Sequence, residues 1–131
     1  MTTTQLPTTV ADLTAGHVAQ ALRATGHDAR IDYQGHGNVE VSVPLAAEAR
    51  ILVHGGYSGH QDSPEAATLD THDGWPGVIL EFANGYVSDR EADSVWLDRE
   101  APDVPQLYAS LTAAEFLSFT VAAVAELKAR Q

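Results

Sequence analysis

A chain of 131 residues, 44% of them hydrophobic, is sized for one domain with a buried core, and no apolar run approaches the ~20 residues of a membrane span. Eighteen acids against seven bases give a net charge of -11, which argues against direct binding of nucleic acid, since phosphate recognition runs on Lys and Arg. The absence of cysteine excludes disulfides, thiolate nucleophiles and sulfur-ligated metals, and MTTTQLPTTVADL has no signal-peptide pattern, so the expected compartment is the cytoplasm.

In chain order, the head from Met1 to Pro7 is expected to be loose. The first helix is expected over LTAGHVAQALRATG: Thr14 caps it, Leu13 and Val18 form a hydrophobic staple, and Gly26 ends it in a left-handed conformation. It lacks the Glu of a full capping box, and Gly16 weakens its first turn. The period then changes from helical to two. Ala29, Ile31 and Tyr33 alternate with Arg30 and Asp32, and Val39, Val41 and Val43 alternate with Glu40 and Ser42, which predicts a hairpin around a five-residue loop, QGHGN. ARILVH and GVILEF are more continuously apolar and are expected as central strands. Asn84-Gly85 predicts a tight turn that sends Tyr86, Val87 and Ser88 back along GVILEF. SVWLD leans to a strand, although Ser88 and Glu91 can also cap a short helix.

The last helix is marked most clearly. Thr112 and Glu115 make a capping box, Leu111 and Phe116 a staple, and Phe116, Leu117, Val121, Val124 and Leu127 recur at helical spacing. Glu115, Ser118, Ala122 and Glu126 form the wetter stripe. The chain therefore predicts a single two-layer α+β domain over residues 1–131, with an N-terminal helix, an antiparallel sheet of four to five strands and a C-terminal helix.

The stretch from Gly55 to Pro76 is long for a structureless connection, and Ser63-Pro64-Glu65 predicts a short helix near residues 63–69. Its glycines match no phosphate-binding fingerprint, and no Lys or Arg occurs from Ile51 to Asp89. GYSGH departs from the nucleophile-elbow pattern at His60, so Ser58 is expected to be a turn serine. His54, His60, Asp62 and His72, with Asp70 or Asp73 nearby, are of types that zinc accepts, but their spacing matches no established site, so neither metal nor cofactor is assigned. Trp75 is expected to plug the core edge, and Tyr57 is a candidate partner anchor.

From Asp62 to Asp103 eleven acids face two arginines. Asp89, Glu91, Asp93, Asp98, Glu100 and Asp103 form its densest run and are the candidate partner-binding residues. Such an array fits a basic protein surface. The expected function is thus a non-enzymatic accessory or inhibitory interaction module, with no direct nucleic-acid or membrane ligand and with homodimerisation through a sheet edge as a further option. The alternative is a metal- or small-molecule-binding protein, hydrolytic at most, centred on the His54–Asp73 loop.

Overall fold

The computed structural model describes residues 7–72 and 74–131, and the side chains of 47, 54 and 55 are outside the description. Most of the loose head expected over Met1 to Pro7 lies outside the described residues.

Helix α1 (Ala15–Ala24) starts at Thr14, whose hydroxyl accepts from the His17 amide. The His17 ring closes the capping box that an absent Glu seemed to leave open, because its Nδ1 lies 3.0 Å from the Thr14 amide. Leu13 and Val18 are both buried, and the helix ends with the amides of Gly26 and His27 donating to the carbonyls of Arg23 and Leu22. Gly16 has a packing reason beyond propensity: a Cβ there would come within 2.9 Å of the Glu65 carbonyl.

Strands β1 (Arg30–Gly35) and β2 (Asn38–Pro44) form the expected hairpin. Its loop is tighter than the five residues expected, since Gly35 pairs with Asn38 and only His36 and Gly37 turn, both at positive φ. Strand β3 (Arg50–Ser58) pairs antiparallel with β2 and continues through the glycines to Ser58. The connection therefore begins at Gly59 rather than Gly55, and Ser58 is a strand residue rather than a turn serine. The helix expected near 63–69 is a single 3-10 turn, Pro64–Ala66, followed by the two-residue strand β4 (Thr68–Leu69), which pairs with Tyr57 and Ser58.

Strand β5 (Gly77–Glu81) pairs with β3, and β6 (Ser94–Trp96) pairs with β5. Between them the Asn-Gly turn forms as expected: Phe82 donates to the Tyr86 carbonyl, Gly85 has φ +86, and Glu81 bridges Val87. The helix–strand ambiguity of this region resolves into both, a 3-10 turn at Glu91–Asp93 leading directly into β6. Among the described residues the sheet has six strands, in the order β1-β2-β3-β5-β6 with β4 beside β3. The expected α+β architecture is present, and the strand count rises because β4 is too short to leave a periodic signal.

Helix α2 (Val104–Ala109) had no counterpart in the sequence reading, and α3 (Ala113–Ala129) closes the chain. Both halves of the α3 capping box are present, and Leu111 and Phe116 are buried as a staple. Val39, Val41, Val43, Ile51, Val53 and Val78 share one core with Val18, Leu22, Phe116, Val124 and Leu127. That core defines the inner face of the sheet. Among the described residues, no α-helix covers the other face.

Candidate functional site

The acidic run does not fold as one array. Asp93 turns inward, is 8% exposed, and accepts a 2.6 Å hydrogen bond from the Ser88 hydroxyl, with Arg90 4.0 Å away. It holds the 88–93 loop together and cannot meet a partner. Asp103 is the N-cap of α2, taking the Gln106 amide at 2.8 Å and its side-chain amide at 3.1 Å. Of the six, Asp89, Glu91, Asp98 and Glu100 are exposed and make no side-chain hydrogen bond or ion pair among the described residues.

Tyr57 is likewise corrected. Because β3 runs on through the glycines, its side chain enters the core at 1% exposure, and its hydroxyl has no hydrogen-bond partner among the described residues. Burial, with the neighbouring Tyr108, pushes its phenol well above the usual tyrosine range. Such a residue anchors the core, not a partner. Trp75 is half-buried and donates its indole N–H to the Leu97 carbonyl at 2.8 Å, stitching the entry of β5 to the exit of β6.

The described residues of the histidine-bearing segment do not close into a ligand set. The His54 side chain and Asp73 lie outside the described residues. His60, Asp62 and His72 are exposed, and His72 sits 3.7 Å from Asp70. Among the described residues, no three His, Asp or Glu side chains converge as metal ligands. His60 does share a shallow groove with His36, which the sequence reading had not singled out.

What gathers instead is a site at the β6 edge. Ile79, Val95 and Trp96 line an open groove of about 730 Å³ with Asp89, Glu91 and Glu126 at its rim. The two arginines of this groove are already engaged. Arg130 donates to Glu126 at 2.7 Å and to the carbonyls of Ala92 and Ser94 at 3.1 and 3.2 Å, while Arg90 stands beside Asp93. The carbonyl contacts also blunt the β6 edge against pairing with another strand.

Trp96 is the aromatic that sequence reasoning missed. It stands opposite Gly77 on the outer face, 42% exposed, with its indole N–H donating to the Ser94 hydroxyl. A Cβ on Gly77 would lie 2.3 Å from the Trp96 ring, so the indole rests directly on the bare backbone of β5. The available signal was a glycine opening a strand that pairs with a tryptophan, and it becomes readable only once the register is known.

Other arginines are paired elsewhere. Arg50 bridges Glu81 at 2.8 Å and Glu40 at 2.9 Å on the outer face, and Arg99 joins Glu115 at 3.1 Å. No described helix is long and apolar enough to cross a membrane. No protein-family model, curated protein or solved structure matches this chain.

Proposed function

We propose that this chain is a non-enzymatic, cytoplasmic interaction module that binds a basic protein surface, in an accessory or inhibitory capacity. The observation that supports it best is the distribution of unpaired charge. Arg30, Arg50, Arg90, Arg99 and Arg130 all stand against carboxylates of the same chain. Asp89, Glu91, Asp98 and Glu100 have no such partner among the described residues and project from one continuous segment around β6. Surface ion pairs contribute little to stability individually, but they consume the cations that would otherwise offset this segment. A basic partner replaces the missing counter-charge and is steered toward it from a distance.

Binding of basic proteins to the immobilised chain should therefore fall steeply as salt rises from roughly 50 to 500 mM, because the screening length contracts severalfold. The double substitution Asp98→Lys with Glu100→Lys should weaken association at low salt by slowing encounter. Binding that persists at high salt, or that is indifferent to the double substitution, refutes the reading.

A further inference from the structure

The outer face of the sheet is apolar at its middle. Leu52 on β3 pairs directly with Ile79 on β5, and Ile79 pairs with Ser94 on β6. Trp96 continues the same face two residues further along β6 and lies over Gly77. Strands that are apolar on both sides belong between two layers. Here α1 and α3 pack on the opposite side, and Leu52 and Ile79 stay half-exposed.

We infer that the Leu52–Ile79–Trp96 face seats an amphipathic helix bearing Lys or Arg, supplied by the basic partner; this rests on the charge reading above. Charge selects the occupant. By register, Asp32, Glu40 and Glu81 stand on this face, and Asp89 and Glu91 rim its β6 end. The cations there are already engaged: Arg30 by Asp28, Arg50 by Glu40 with Glu81, Arg90 beside Asp93 and Arg130 by Glu126. A second copy would bring another net charge of -11 to the same rim, and like charges oppose that docking.

Geometry selects a helix. Neighbouring strands lie ~4.8 Å apart and one helical turn rises ~5.4 Å, so apolar residues one turn apart on a helix crossing the strands meet β3, β5 and β6 in succession. Strand addition at β6 is disfavoured because Arg130 occupies the carbonyls of Ala92 and Ser94, whereas a helix laid on the face leaves those hydrogen bonds in place. Trp96 is then the anchor at the β6 end of the face, seated on Gly77.

The test uses two peptides of about 18 residues, roughly five helical turns. Both contain the same leucines and lysines; in one the leucines fall on a single helical face, and in the other their order is shuffled. Each is titrated at low salt into the isotopically labelled full chain while backbone amide shifts are followed. The amphipathic peptide should bind at least about tenfold tighter than the shuffled one, with shifts centred on Leu52, Ile79 and Trp96. Ile79→Thr and Leu52→Thr keep strand-compatible side chains and should abolish that preference.

The docking surface is overturned if both peptides bind equally, or if the shifts centre on the uncharged α1–α3 groove at Leu117 and Val121. In either case, salt-sensitive binding that is lost in the Asp98→Lys, Glu100→Lys variant leaves the charge reading standing. Absence of binding by both peptides at low salt overturns both. The unsubstituted chain alone decides the location, so a threonine variant that fails to fold does not rescue the proposal.

Discussion

Gly77 and Trp96 show how one missing methyl group sets a surface. A Cβ at Gly77 would meet the Val95 carbonyl at 2.8 Å as well as the indole, and swinging the ring away cannot relieve the backbone clash. Gly77→Ala should therefore cost about 1–3 kcal/mol, as overpacking does, measured by urea unfolding. Asp93 belongs to the same scale. Removing its carboxylate leaves the buried Ser88 hydroxyl without its acceptor, so Asp93→Ala should destabilise by about 1–3 kcal/mol, whereas Glu91→Ala should stay within about 0.5 kcal/mol. A unit that used both carboxylates only to meet a partner would show no such difference.

Tyr57 gives the opposite sign. Its hydroxyl is buried without a partner, so Tyr57→Phe removes a desolvation cost and should leave stability unchanged or raise it. Its phenol is raised in the folded state, mainly by burial and then by Tyr108, relative to about 10 in the unfolded chain. As pH rises through that unfolded value, the unfolded state releases a proton that the folded state keeps, and stability falls. Denaturant titrations above pH 10 should show this loss in the parent protein and a shallower one in Tyr57→Phe.

At the scale of elements, α3 depends on its start. Thr112 accepts the Glu115 amide at 3.1 Å and Glu115 accepts the Thr112 amide at 3.0 Å. Thr112→Ala should cost about 1 kcal/mol by thermal or chemical unfolding. The Thr112 amide, followed by Arg99, holds the Glu115 carboxyl below its ordinary range. Its contribution is present above the unfolded carboxyl pKa of about 4.3 and is lost as pH falls through the lower folded value. The short strand β6 is secured differently, by Arg130 reaching from the end of α3 to its backbone, so one helix both covers the core and closes a sheet edge.

For the whole molecule, charge acts in two directions. A net charge of -11 repels itself when compact, so added salt should raise the melting temperature of the free chain while weakening its binding to a basic partner. Calorimetry and a binding titration over one salt series would reveal the opposed slopes. Parallel slopes would overturn one of the two, recognition if both rise with salt and self-repulsion if both fall.

Residues alone determined the parts of this protein whose physics is local. Thr112, Glu115, Leu111 and Phe116 specify a helix start within six positions, and the alternation at Ile31–Tyr33 and Val39–Val43 specifies a hairpin, because caps and pleats need only near neighbours. The net charge was equally plain. The site was not. Six carboxylates close in sequence look alike until the fold turns Asp93 inward and places Asp103 at a helix start, and Tyr57 looked exposed only while Gly55 and Gly56 were read as a loop. Strand register brings Leu52, Ile79 and Trp96 from segments far apart in the chain onto one face that no described α-helix covers, and no local pattern encodes a meeting of that kind.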